Sequence, residues 1–455
     1  MRIWHTLFFL LAAICTAHAQ QSLKVQLLGN WNDSAHIRIN LNGQRYNDVY
    51  GLVVKGKEYA AIGSTEGVHI IDIDAMKQVA FYPGKTAGNT VVHRDYKTYK
   101  HYLFAVCDEG ISSMQVFDLD YLPDSLHLVY ESQPVEFIQA NKIFIDTAKA
   151  TLYAATAKSI TAADQMRVYD ISNPTAPALI LQYNNHDNIH DMYVRNDTAY
   201  CSASFYGYEV VDCSHHGTWQ QIGEMTGYPS QGYNHSSWIN SKGIGVMTDE
   251  THGLPVKVID ARDIAHMQVV GLFSPRPGDT TCIPHMPYIV GDFVFIAYYF
   301  DGLQVYDISN PAQPRQAGYY DTYMQPSFKG FAGAWGCYPF LPSRRVLLSD
   351  MQTGLYVLDV HEATGWQQVN KGFALYPNPA TDHIFIEFPA TETSAALSVQ
   401  VYNAAGQLQF SQVYDPAAYT YRPIQLTLPG SWPAGTYFVR ILADGRSYHA
   451  KFSKL

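Results

Sequence analysis

Three histidines recur along this chain at nearly even intervals: His190, His235 and His285. Each stands at the start of an apolar, strand-like run, as in "NIHDMYV" at 188–194. Three neutral imidazoles can hold Zn²⁺ or another divalent transition metal and leave a position open for water or substrate. They belong to a longer series. Asn47, Arg94, Asn141, His190, His235, His285 and Trp335 follow one another at 47, 47, 49, 45, 50 and 50 residues. The residues that come next are Asp48, Asp95, Lys142, Asp191, Ser236, Met286 and Gly336. His190 and Asp191 are neighbours in a strand, so their side chains point to opposite faces and form no dyad with each other. No Gly-x-Ser-x-Gly turn, His-Glu-x-x-His helix or phosphate-binding glycine loop is present.

The elements that must position this series repeat with it. "VHIIDI", "MQVFDL", "MRVYDI", "YEVVDC", "VKVIDA", "LQVYDI" and "LYVLDV" place Asp72, Asp118, Asp170, Asp212, Asp260, Asp307 and Asp359 at the same interval. Each copy has two strand-like runs, a turn, the Val-x-Asp strand, a polar or Pro-containing loop and a fourth strand. Such units of about 48 residues are in the range of propeller blades. The repeated Asp reads as an Asx-type turn that accepts backbone N–H groups. The seventh unit lacks a fourth strand, and "LKVQLLGNW" at 23–31 is the unused one. We expect it to pair into the last blade and close the ring, which removes an exposed edge.

The first strand of a blade lines the central channel, so the series becomes a ring at one mouth. The turns between second and third strands lie on the same face and bring Glu66, Asp108, Glu109, Asp164, Asp249, Glu250, Asp301 and Asp350. Three uses of this face stay open. His190, His235 and His285 can hold a metal ion. Asn47, Asp48, Arg94, Asp95, Asn141, the histidines, Trp335, Glu109, Asp249 and Glu250 can bind a polar extracellular ligand, a glycan, peptide or protein, between aromatic walls. Or the ring groups pair with one another and with water. A non-catalytic binding or scaffold module is the leading expectation. The alternative is a metal-dependent hydrolase or lyase with Glu250 or Glu109 as base. No cofactor beyond such a divalent ion is indicated.

Composition agrees with an all-β extracellular chain. Only 15% of residues are charged and 14% are aromatic, with 34 Tyr, the residue types of pleated, half-buried surfaces. The net charge of −10 lacks the basic stripe that nucleic acid needs. Residues 1–19 have a basic start, a short apolar core and "AHA", and are expected to be a signal peptide. No later run is long enough for a transmembrane segment. Beyond it lie Cys107, Cys201, Cys213, Cys282 and Cys337, too few for a disulfide scaffold. Cys201 and Cys213 flank Gly207 symmetrically, so a cross-strand disulfide and two buried thiols are both open.

The Val-x-Asp-(Ile/Leu)-Ser-x-Pro units resemble the LVIVD-repeat propellers. With "NDVYGL", "DNIHDMYVRNDTAYCS", "GYNHSSWI" and "GAWGCYPFLPS", the chain is similar to the choice-of-anchor B family of exported bacterial proteins. That resemblance implies a β-propeller and no reaction. From Phe373 the repeat stops. "FALYPNPATDHIFIEF", "LSVQVYNAAGQLQF", "AGTYFVRI" and a last strand through Lys451 resemble the type A C-terminal sorting domain of type IX secretion. This implies a Bacteroidetes-like source, the type IX machinery as partner, and a secreted or cell-surface product. The expected organisation is a signal peptide at 1–19, a seven-bladed β-propeller over 22–366, a linker at 367–372 and a small Ig-like β-sandwich over 373–455.

Overall fold

The computed structural model describes residues 21–185, 188–215, 218–366, 373–387, 396–415, 423–443 and 446–455. The expected signal peptide and the 367–372 linker lie outside the described residues. Seven antiparallel sheets of four or five strands come first, five of them in simple meander order and two completed by a strand from the N-terminal segment. Their first strands are Tyr46–Val54, Arg94–Tyr99, Lys142–Asp146, Asp191–Arg195, Asn234–Ile239, Pro287–Val290 and Ala334–Tyr338. Each packs on the next, and the seventh packs back on the first. The sheets therefore close a ring, the arrangement of a β-propeller. Apolar faces of neighbouring sheets share cores, as where Leu52, Tyr59 and Ile70 meet Leu103 and Phe117.

All seven repeated aspartates make the same turn. The backbone N–H two residues on donates to Asp72, Asp118, Asp170, Asp212, Asp260, Asp307 and Asp359 at 2.8–3.1 Å. Each sheet also has a register shift between its third and fourth strands. Such bulges sharpen the twist that packs sheets around an axis.

The N-terminal segment divides between two sheets. Gln26–Trp31 pairs with Gly354–Asp359 of the seventh. Ser22–Leu23 instead adds a fifth strand to the sixth, beside Tyr319 and Tyr320. Lys24 sits between them at a φ of 53°, a left-handed turn that moves the chain from one sheet to the next. The expectation of one strand from 23 to 31 is corrected at this point.

Cys201 and Cys213 are not a cross-strand pair. The hairpin pairs Ala203 with Gly207, so Cys201 faces Glu209, and the N–H of Cys213 bonds to the carbonyl of Asp197. Both thiols are free and buried. The turn lies two residues earlier than the symmetry about Gly207 suggests.

The C-terminal region has a three-stranded and a four-stranded sheet. Ile384, Ile386 and Leu426 of the first pack against Val399, Val401, Val439 and Ile441 of the second in one core. Leu397–Asn403 alternates buried and half-buried positions, the pattern of a strand with one face inward.

Candidate functional site at the channel mouth

The first strands bring the expected series to one place, but not to one role. Asn47–Asp48, His235 and Trp335 lie where the pairing of first and second strands shifts register. Bulges re-aim side chains, and His235 and Trp335 turn theirs into the channel. His190 immediately precedes Asp191–Arg195, and His285 stands two residues before Pro287–Val290. His190 therefore faces the mouth while Asp191 points inward and accepts a bond from Ser236 Oγ at 2.5 Å.

Most of the first three positions are spent on the protein itself. Arg94 donates from Nε to the Ser64 carbonyl at 2.8 Å and from Nη2 to the Thr86 carbonyl at 2.6 Å. Gly84 makes room for this, since a Cβ there would stand 2.3 Å from the guanidinium. Asn47 donates to the Val92 carbonyl and Asn141 to Asp108, both at 3.1 Å. Below them Lys142 donates to Asp48 at 2.6 Å and lies 3.8 Å from Asp95. Asp95 also takes Lys97 at 2.9 Å and the N–H of Ile143 at 2.7 Å. Burial works against the Lys142 ammonium, but Asp48 and Asp95 outweigh it and hold its pKa above the usual lysine value.

The histidine side differs. His190 and His235 have ring centroids 4.1 Å apart, and His235 and His285 4.4 Å. Glu250 faces the last two, with His235 Nε2 and His285 Nε2 each 3.9 Å from a carboxylate oxygen. Tyr299 donates its hydroxyl to Glu250 Oε1 at 2.5 Å. The His285 ring bonds through Nδ1 to the Trp335 carbonyl. Nδ1 of His190 and of His235 makes no hydrogen bond. Burial first, then neighbouring His93 and Lys142, lowers the imidazole pKa values, that of His190 to about 3 and those of His235 and His285 well below the ordinary range. Burial pushes the Glu250 carboxyl up to about 7, against the Tyr299 bond.

Two of the expected carboxylates are engaged elsewhere. Asp249 lies inside its sheet, where it accepts from Tyr228 at 2.8 Å and Asn234 at 3.0 Å and pairs with the buried Lys257. Glu109 accepts the His93 ring at 2.6 Å and its backbone N–H at 3.1 Å. Burial raises the Glu109 carboxyl, but these bonds prevail and hold it below the ordinary value.

His93 itself escaped the sequence reading. It precedes Arg94, the residue in register with the series, yet it is the imidazole that reaches the cavity and stacks near Trp335, centroids 5.3 Å apart. Two aromatic flanks were also missed. Phe205 packs edge-on to Tyr233, which packs edge-on to His190, at 5.2 and 5.4 Å. Phe331 meets Tyr299 at 5.3 Å, and Tyr299 meets His285 at 5.0 Å. Phe205 is 72% exposed and Phe331 47%, which makes them rims and not core. His93, Arg94, Asn141, Lys142, His190, His235, Glu250, His285 and Trp335 line a small cavity of about 20 Å³, room for a water molecule or an ion.

Comparisons with known proteins identify two parts of the chain. Residues 374–454 match the secretion system C-terminal sorting domain, and residues 162–185 and 288–322 match the LVIVD repeat. The chain thus carries LVIVD repeats and a type IX sorting domain, engages that secretion system and is sent to the cell surface or extracellular space. No helix among the described residues is long and apolar enough to cross a membrane. Karilysin of Tannerella forsythia is 30% identical over 92 residues, 18% of this chain and 18% of that protein. The chain therefore spans under a fifth of this curated relative. Among solved structures, the β-propeller domain of Cps50 (Swd1) from Myceliophteria thermophila is similar with a TM-score of 0.45 and 12% identity, covering 71% of this chain and 98% of that one. The computationally designed Ika8 protein is similar with a TM-score of 0.45 and 12% identity, covering 69% of this chain and 82% of that one.

Proposed function

We propose that this protein is an exported seven-bladed β-propeller, over residues 22–366, that binds a polar extracellular ligand at the channel mouth without transforming it. A signal peptide at 1–19 starts its export. A linker at 367–372 leads to an Ig-like sorting domain at 373–455. The observation that carries the binding reading is the polar cavity lined by His190, His235, Glu250 and His285, with the exposed Phe205 and Phe331 each one aromatic ring away, through Tyr233 to His190 and through Tyr299 to His285. Aromatic flanks above a polar floor suit a ring-bearing or flat polar group, as in a glycan or a peptide. Such a ligand stacks between the flanks while the imidazoles and Glu250 hold its polar atoms.

The rival reading, a metal-dependent hydrolase or lyase, needs a free base beside a metal-bound water. Glu109 is tied to His93, and Glu250 stands between two imidazoles as a donor in its own right. This placement favours binding over catalysis. Glycan and peptide arrays probed with the full chain test the proposal. Binding to a defined ligand class is expected, with at least about tenfold weaker binding in Phe331→Ala and Phe205→Ala, a loss of stacking worth roughly 1–2 kcal/mol each. Unchanged binding in the double variant would overturn the mouth as the binding face.

A further inference from the structure

The three imidazoles expected to act together do not form the tightest donor group. His235, His285 and Glu250 do, with one ligating atom of each within 4.8 Å of the others. Tetrahedral zinc with bonds near 2.0–2.2 Å separates its donors by roughly 3.3–3.6 Å. The two imidazole–carboxylate separations of 3.9 Å run to different Glu250 oxygens, and with the three donors within 4.8 Å of one another an ion would draw the widest pair together by up to about 1.5 Å. His190 stacks on His235 but is not a member of this group.

Two features around the group are those of a ligand shell, and a third is the state of His235. The His285 Nδ1–H bonds to the Trp335 carbonyl, which leaves the Nε2 lone pair directed at Glu250. A ring nitrogen fixed in this way sets the tautomer that metals require. The Tyr299 hydroxyl holds one Glu250 oxygen and so orients the carboxylate. His235 is 1% exposed, yet its Nδ1 has no hydrogen-bond partner. That nitrogen lies across the ring from Nε2, so it leaves a place for an outer-shell water and not for the ion itself. The nearby cations do not compete for the donors, because Lys142 is held by Asp48 and Arg94 by two carbonyls.

We propose that His235 Nε2, His285 Nε2 and the Glu250 carboxylate form a binding site for a divalent transition metal, zinc above all. The fourth position opens into the mouth cavity between the aromatic flanks. This deepens the binding reading and rests on it for one point only, that the open position receives an oxygen atom of the extracellular ligand. Two histidines and one carboxylate leave the bound ion a net charge of about +1, which favours a carboxylate or hydroxyl oxygen at that position.

The test is equilibrium dialysis of the full chain against Zn²⁺ with metal analysis, and Co²⁺ absorption as a second readout of coordination geometry. One equivalent is expected. His235→Ala, His285→Ala and Glu250→Gln should each weaken binding by at least about 100-fold, beyond the cost of losing an orienting partner, whereas Tyr299→Phe should cost about tenfold. His190→Ala should stay within a few-fold of the parent, with thermal unfolding confirming that every variant is folded. Less than about 0.1 equivalent of zinc in the parent, below any specific site, or zinc retained by a folded His235→Ala/Glu250→Gln double variant, would overturn the site. Array binding by a chain that holds no zinc would sink the metal site and leave the binding reading standing. Zinc binding with a blank array would do the reverse.

Discussion

The mouth has two arcs built from equivalent positions of the same repeat. In the arc from Asn47 to Asn141, Arg94 is bound by backbone carbonyls, Asn141 by Asp108, and Lys142 by Asp48. In the arc from His190 to Trp335, imidazoles face one another and Glu250, and two ring nitrogens have no partner. Polar character at a channel-lining position therefore says little by itself. What separates a structural group from a candidate ligand is whether the protein has already satisfied it. Charged side chains with full complements of partners hold the sheets together, and unfilled imidazoles remain available for something from outside.

The arcs meet where the seventh sheet packs on the first, and breaking that seam should have the largest effect. Deleting residues 22–32 removes the Gln26–Trp31 ladder and the buried Val25. A loss of about 5 kcal/mol or more is expected from these bonds and this apolar burial, measured by chemical denaturation. A folded chain with only a frayed end would show that the ring does not depend on the seam.

Charge removal sharpens the contrast between the arcs. Lys142→Met leaves Asp48 buried without its closest cation, while Asp95 keeps Lys97, and should cost about 3–5 kcal/mol. His235→Ala on the other arc leaves no charge unpaired and should cost about 1–2 kcal/mol. Equal losses in denaturant unfolding would erase the distinction between the two arcs.

Acid probes the first arc from behind. His69 lies between Ser64 Oγ at 2.8 Å and Gln78 Oε1 at 2.7 Å, and burial lowers its pKa from 6.5 to about 4. The imidazole stays neutral in the fold, so between these values protons favour the unfolded chain. Its contribution is full above about pH 6.5, falls as pH drops through the window, and levels off below about pH 4. The loss approaches about 3 kcal/mol. Against His69→Gln, the parent should lose up to that much more stability between pH 7 and pH 4. Parallel losses would rule His69 out as the source.

The smallest effect belongs to the repeat shared by both arcs. Asp118→Ala removes one turn bond, from the N–H of Asp120 at 2.9 Å, and should cost about 1 kcal/mol. Asp118→Asn can make the same turn and should restore most of it. An unaffected melting temperature in Asp118→Ala would remove the turn from the account of stability.

The repeat, the Asx turns and the strand that closes the last sheet were legible in the chain because they are local. A Val-x-Asp strand followed by a polar loop specifies its own hydrogen bonds, and a missing fourth strand at one end with a spare at the other leaves a single pairing. The left-handed turn at Lys24 had no such signal, and neither did the early hairpin that separates Cys201 from Cys213. Sequence spacing likewise placed His235, His285 and Trp335 on successive first strands, and strand alternation separated His190 from Asp191. It did not show that Glu250 stands between two imidazoles, that Asp249 faces inward to Lys257, or that His93 joins Arg94 at the cavity. Those outcomes depend on bulges, and on partners from sheets about 50 residues away in the chain. Backbone periodicity fixes where a strand begins and which way successive side chains alternate. Which ring nitrogen is left without a partner is decided only when neighbouring sheets pack and each donor finds, or fails to find, its acceptor.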